Sequence, residues 1–215
     1  MELFAKHRVE SLTDGIFSVA LTLLVLDLKL PGPPYATTDA ELQSQLVAIL
    51  PKLAIWLVSF AVLMLFWNGY HRMFHRMRSI DRVIMLINFV YLGLICIAPF
   101  VVATWGAHIE LYSAQLMYNT MLALCALTQI AMLEYTRRHP ELLVEPWTRG
   151  TLARVRIQVG ALVFCAVCSS IVSAIVDQSY GLPYLLMFFS GFIGRRVERR
   201  IDGVRPAREQ HASGR

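Results

Sequence analysis

The chain has 215 residues, of which 56% are hydrophobic and only 16% charged, with 20 Lys and Arg against 15 Asp and Glu. A soluble domain carries about 25% charged residues. Here the charges gather at the ends of long apolar runs, which excludes an ordinary soluble domain and reads the net charge of +5 as anchoring at lipid headgroups, with no nucleic-acid partner.

Crossing the hydrocarbon core takes about 20 helical residues. Only helices and closed barrels pair every backbone polar group internally, and the apolar runs are too long and too even for barrel strands. The sequence therefore predicts an all-α membrane protein with six transmembrane helices.

The first helix is expected from Glu10 to Leu30. Lys6 and Arg8 precede it as they would a signal peptide. However, Asp14 interrupts the run and Pro31-Gly32-Pro33-Pro34 stands where small residues should mark cleavage, so the run is expected to be retained. The second helix ends near His71 and begins between Asp39 and Pro51. Thr38 and Glu41 form a capping box that favours the early start; Pro51 then either kinks the helix or opens a separate segment at its first turn. The third runs from Asp81 to Trp105 with Pro99 late in it, the fourth from Glu110 to about Arg137, and the fifth from Leu152 to Val176. The sixth starts near Leu182-Pro183 and ends among Arg195, Arg196, Arg199 and Arg200, which snorkel toward the interface. Residues 1–202 form the membrane domain on this reading, and 203–215 a polar, disordered cytoplasmic tail.

The loops test the count independently. Arg72, Arg76, Arg78 and Arg82 lie between helices two and three, and Arg137, Arg138, Arg149, Arg154 and Arg156 near the loop between four and five. The intervening loops carry Asp39, Glu41, Glu110 and Asp177, with only Lys29 and Lys52 near them. Basic and acidic loops alternate, and the positive-inside rule then puts both termini in the cytoplasm.

Candidate chemistry concentrates on helix one. Twelve uncharged residues, Gly15 to Leu26, separate Asp14 from Asp27, so spanning requires Asp14 to sit at or inside the membrane boundary. An ionisable residue there should face protein or water; alternatively Asp14 satisfies helix-terminal donors or rests among headgroups. Helix two carries Trp67 and His71 at i,i+4 with Asn68 beside them, and His75 one turn on. Helices one and two are antiparallel neighbours, so Asp14 can meet Trp67, Asn68 or His71. Arg8 lies on another face from Asp14 and is expected to pair with another helix. The two histidines lack a third ligand for a metal, and Cys165-x-x-Cys168 lacks the second pair or acid that a zinc or redox site needs. No metal and no cofactor are expected.

A second pattern on helix one is a 3.6-period apolar stripe, Gly15, Val19, Leu23 and Leu26, with Thr22 adjacent and Leu21 and Val25 on other faces. Asn88, Gln115, Asn119, Gln129, Ser169, Ser170 and Ser173, inside the apolar runs, are expected to be interhelical hydrogen-bond partners.

Arg8-Val-Glu-Ser-Leu-Thr-Asp14-Gly-Ile-Phe followed by Leu21-Thr-Leu-Leu-Val-Leu-Asp27 resembles the first helix of the bacterial transmembrane protein 175 family, relatives of the lysosomal potassium channel. Arg8 and Asp14 match the family's R-x-x-x-F-S-D motif, with Leu12 and Thr13 replacing Phe and Ser. Pro51, Ser59-Phe60, Trp67 with His71, Asn88 and Pro99 resemble its second and third helices. The resemblance implies a homotetramer in the cell membrane with four copies of helix one around a central pore for monovalent cations, potassium above all. It also implies a hydrophobic constriction in place of a carbonyl filter, with layers at Val19, Leu23 and Leu26 and the selectivity-associated threonine at Thr22. Arg8, Thr13, Asp14, Trp67, Asn68 and His71 would form a structural polar network. A proton-coupled transporter or a small intramembrane enzyme using Asp14 and His71 is the alternative. An enzyme should bring several polar groups into one pocket, and a transporter should show broken helices or inverted repeats.

Overall fold

The computed structural model describes residues 6–30, 36–175 and 186–203, all helical or in short connections apart from an isolated bridge between two loops. The helices are α1 (Lys6–Leu23), α2 (Asp39–Ala48), α3 (Leu50–His75), α4 (Arg82–Ala107), α5 (Tyr112–Arg138), α6 (Arg149–Ile175) and α7 (Leu186–Gly203). Among the described residues, five are long and apolar enough to cross a membrane: α1 with its extension to Asp27, α3, α4, α5 and α6 up to Val172. The chain is thus a multi-pass helical membrane protein.

The predicted elements differ from these in three places. The first helix starts earlier than Glu10 and leaves α geometry at Leu23, tightening into a 3₁₀ turn over Leu24–Asp27. The second region divides: α2 is a short helix with no buried residue, and α3 starts afresh with Pro51 in its first turn. Of the two readings of Pro51, the separate start is the observed one, as expected of a residue that cannot donate the hydrogen bond an interior position requires. The sixth predicted helix corresponds to α7, whose 18 residues include four arginines in its second half and fall outside the apolar set. Its expected start at Leu182-Pro183, the end of the fifth helix at Val176, and the tail from 204 onward lie outside the described residues.

Local sequence explains the helix ends. Thr38 accepts from Glu41 N at 3.3 Å and caps α2, while Glu41 Oε2 accepts from Thr37 N at 2.7 Å. These bonds, the Thr37 amide first, hold the Glu41 carboxyl below its ordinary range. Asp81 caps α4 through Ile84 N at 2.9 Å and also accepts from Tyr135 Oη at 2.6 Å, so it ties α4 to the end of α5. The α3–α4 and α5–α6 loops are stitched by backbone: Arg78 N donates to Leu142 O at 2.7 Å and Val144 N to Arg76 O at 2.9 Å. On the same side Asp202 of α7 accepts from Gly150 N at 3.1 Å and Thr148 Oγ1 at 2.8 Å, which fixes α7 to the start of α6.

The core runs along the bundle from Trp105 and Tyr118, stacked at 4.4 Å, to Tyr70, Phe74 and Tyr91. α1 contributes one stripe to it: Val9, Thr13, Phe17, Ala20 and Leu24. The spacing of three and four residues is that of a single helix face. Gln129 Nε2 donates to Phe66 O at 2.9 Å and Tyr91 Oη at 3.0 Å, and Asn119 Nδ2 donates to Ser170 Oγ at 2.6 Å, so both join helices as expected. Gln115 instead bonds Asn119 within α5. Asn88 and Ser169 are buried with side-chain atoms that have no partner among the described residues, and the side chain of Ser173 lies outside the described ones.

Candidate pore-facing helix and its supporting network

Two faces of α1 divide the work. Phe17 is 1% exposed, whereas Val19, Leu23 and Leu26 are 57%, 42% and 60% exposed. Leaving three large apolar side chains uncovered on one face is the mark of a surface that meets lipid or another protein copy. Ser11, Leu12, Gly15, Val19 and Leu23 line a shallow cavity of about 470 Å³ that Cys96 of α4 closes from the side.

Thr22 is exposed next to this stripe. Its hydroxyl donates back to its own helix, 2.8 Å from Val19 O and 3.0 Å from Ser18 O. A hydroxyl has one donor and two acceptor lone pairs. With the proton spent on the backbone, the oxygen presents acceptor capacity outward. Leu21 packs half-buried against the core, whereas Val25, within the 3₁₀ turn, is exposed. Asp27 ends the turn against α4, where a Cβ on Gly106 would stand 3.3 Å from Asp27 Oδ2.

The opposite side of the same turns carries the polar links to α3. Trp67 Nε1 donates to Asp14 Oδ1 at 3.0 Å. Thr13 is fully buried, its hydroxyl 2.9 Å from both Val9 O and Tyr70 Oη. His71 is exposed and stacks on Trp67 with ring centroids 5.4 Å apart. Trp67 therefore stands as the common partner of Asp14 and His71. Asn68 and Arg8 are exposed, and no hydrogen bond or ion pair joins either to the other described residues. Of the six residues expected in the network, the single chain brings together Thr13, Asp14, Trp67 and His71. Tyr70 was missed. It lies three residues beyond Trp67, on the turn that faces α1, and that spacing was the available signal.

Among the described residues, no group of three or more His, Cys, Asp or Glu is placed to hold a metal ion. The four cysteines are free thiols, with Cys125 and Cys165 buried.

A bundle of long apolar helices whose outer faces leave large apolar side chains exposed, with α1 tied to α3 by polar bonds, defines a multi-pass membrane protein. Residues 8–99 match the family described as Endosomal/lysosomal potassium channel TMEM175. A potassium channel of Streptomyces collinus is 29% identical over 163 residues, covering 72% of this chain and 77% of the relative. A potassium channel of Chamaesiphon minutus is 34% identical over 102 residues, 47% of this chain and 50% of the relative. The human endosomal/lysosomal proton channel TMEM175 is 30% identical over 99 residues, 44% of this chain and 20% of the relative. The crystal structure of a TMEM175 homologue from Chamaesiphon minutus, described as a lysosomal potassium-selective channel homologue, superposes with a TM-score of 0.71 at 24% identity, covering 88% of this chain and 97% of that one. The chain is thus similar to the TMEM175 family over residues 8–99 and shares the fold of the Chamaesiphon structure. It spans 77% of the Streptomyces relative and about half or less of the other two.

Proposed function

We propose that the chain is the subunit of a potassium-permeable cation channel. Four copies assemble around a central axis lined by α1, with both termini cytoplasmic, residues 1–202 forming the channel unit and 203–215 a tail. The observation that carries this reading is the uncovered stripe Val19, Leu23 and Leu26 on a helix whose other face is fixed to the bundle. The matched relatives named as potassium or proton channels support the same conclusion.

The physical mechanism needs no covalent chemistry and no cofactor. Apolar rings at Val19, Leu23 and Leu26 would gate by excluding water, since an ion sheds its hydration only where oxygen replaces it. Thr22 is the neighbouring oxygen with acceptor capacity to spare, and would bias passage between potassium and sodium. Asp14, Trp67, Thr13 and Tyr70 would hold α1 in place without touching the ion.

The test is ion flux from liposomes containing the purified chain, under a potassium gradient and then a sodium gradient, with the mass of the detergent-solubilised particle measured in parallel. Potassium flux from a tetramer is expected. A monomer that conducts rules out the axial pore, and a tetramer that passes neither cation rules out the channel.

A further inference from the structure

A cavity of about 390 Å³ opens on the side of the bundle where α3 ends and α6 begins. None of its lining residues belongs to α1. Its walls carry Arg72 and Arg76 from α3 and Arg154 from α6, with Trp147, Gln158 and Glu198 between them. Three guanidinium groups thus face one carboxylate. That carboxylate is already engaged: Glu198 Oε2 accepts from Arg154 at 2.7 Å and Oε1 from Thr151 at 3.1 Å. The direct contacts of the other two arginines are with neutral groups. Arg72 donates to Gln158 Oε1 over a long 3.4 Å, and the Arg76 guanidinium lies 5.2 Å from the centroid of the Trp147 ring. Arg154 Nε is buried without a hydrogen-bond partner among the described residues. His71 and His75 also border the space.

Clustered guanidinium groups short of carboxylates in a recess call for an anion, and their planar forks match phosphate oxygens. The recess also continues inward. Below Arg72 and Gln158 it meets a narrow cleft of about 50 Å³ between α3, α5 and α6, walled by Leu65, Phe66, Ala126, Val159 and Leu162. These three helices are membrane-crossing ones. Gly69 keeps the junction open, for a Cβ there would come within 3.2 Å of Gln129 Oε1. A basic chamber at a helix end, continuous with an apolar cleft in the spanning region, fits an amphiphile with a phosphate at its polar end. Free phosphate would use the arginines and leave the cleft without a purpose.

We infer that this cavity binds the headgroup of an anionic phospholipid, with Arg72, Arg76 and Arg154 on the phosphate and the start of an acyl chain in the cleft beside Phe66 and Leu162. The site is independent of the channel reading, because none of these residues lies on α1 and binding is measured without ion flux.

The experiment titrates dioctanoyl phosphatidylglycerol onto the purified full chain in neutral detergent and reads binding by native mass spectrometry, with dioctanoyl phosphatidylcholine and inorganic phosphate as separate arms. Saturable binding of phosphatidylglycerol alone is expected. The pair Arg72→Gln and Arg76→Gln should raise its Kd by roughly tenfold or more, given what each basic residue contributes near an anionic lipid. The pair Arg196→Gln and Arg199→Gln, on the exposed face of α7, removes the same charge and should leave Kd within about twofold. Equal loss in both pairs means attraction by net charge only and overturns the site. So does inorganic phosphate binding that competes fully with the lipid. Should the Arg72/Arg76 pair fail to fold, photo-crosslinking of the unaltered chain decides. A phosphatidylglycerol carrying a diazirine near its headgroup should label peptides within 66–76 and 147–162, and labelling confined to other peptides overturns the proposal.

Discussion

Thr13 and Tyr70 join α1 to α3 through a hydroxyl pair 2.9 Å apart in a fully buried setting, one residue along from the Trp67–Asp14 bond at 3.0 Å. The two bonds differ in what their loss leaves behind. Thr13→Val keeps the shape but strands the Tyr70 hydroxyl in the core, which costs about 1–3 kcal/mol. Tyr70→Phe strands nothing of that size, because Thr13 still donates to Val9 O. The double variant should therefore recover part of the Thr13→Val loss, a coupling readable in a double-mutant cycle of thermal or denaturant unfolding in detergent. Additive losses would show that the hydroxyl pair contributes nothing.

Asp14→Ala removes an acceptor from Trp67 at an exposed position, so its cost in the single chain is smaller, about 1 kcal/mol. Its larger effect is expected on assembly, since α1 would then be held by the Thr13–Tyr70 bond and packing alone. Size-exclusion profiles of the Asp14→Ala and Trp67→Phe variants should both shift toward smaller species. Normal assembly of Asp14→Ala with abolished flux would assign Asp14 to conduction instead.

The third prediction concerns orientation. In a background lacking Cys96, Cys125, Cys165 and Cys168, single cysteines at Thr38 and His108 should react with an impermeant reagent added outside intact cells. Cysteines at Arg78 and Glu141, both exposed, should react only after permeabilisation. Arg78 N and Leu142 O share a backbone hydrogen bond, so their loops occupy one side of the bundle. Opposite labelling of Arg78 and Glu141 would contradict that bond and the alternation of basic loops together.

A fourth prediction follows from Glu41. Bonds from the Thr37 amide and hydroxyl lower its pKa on folding. A group with a depressed folded pKa stabilises the structure above its unfolded pKa, and that contribution is lost as pH falls through the folded value. Protection of the Thr37 amide from hydrogen exchange, corrected for the intrinsic pH dependence, should be full at neutral pH and fall below the ordinary carboxylate range. Glu41→Gln should lower the protection and remove this pH dependence.

How far the sequence could be read depended on the kind of signal. Apolar runs between charged clusters are long-range and redundant, so α3, α4 and α5 lie close to where they were expected. Pro51 marked a discontinuity correctly, but two outcomes were open because a proline suits a first turn as well as a kink. The shift to 3₁₀ at Leu24 left no mark, since Leu-Val-Leu-Asp is compatible with either helix. Thr13, Asp14 and Trp67 were legible because polar residues within apolar runs need partners. Tyr70 was hidden by its dual character: it reads as core until a hydroxyl partner is seen. The arginine chamber could not be read at all. Arg72, Arg76 and Arg154 look like headgroup anchors in sequence, and only the packing of α6 and α7 gathers them around one recess.

The last prediction addresses the stripe itself. If four copies of α1 surround an axis, Val19, Leu23 and Leu26 form successive apolar rings there, and their exposure in the single chain becomes burial against the partners. Widening one ring and giving it oxygen, as Leu23→Asn does, should wet the constriction and raise the potassium leak severalfold in the liposome assay. Thr22→Ala takes away the outward oxygen and leaves the apolar rings intact, so flux should persist while the potassium-to-sodium ratio falls. Leu21→Asn places an amide against the core, where an unpaired polar group costs about 1–3 kcal/mol, and should lower stability more than it alters leak. Val25 gives the rotational control. It is exposed yet sits off the stripe, so Val25→Asn should change neither stability nor leak by much. A leak raised by Val25→Asn and unchanged by Leu23→Asn would mean that α1 turns a different face to the axis, and the assignment of Val19, Leu23 and Leu26 would fall.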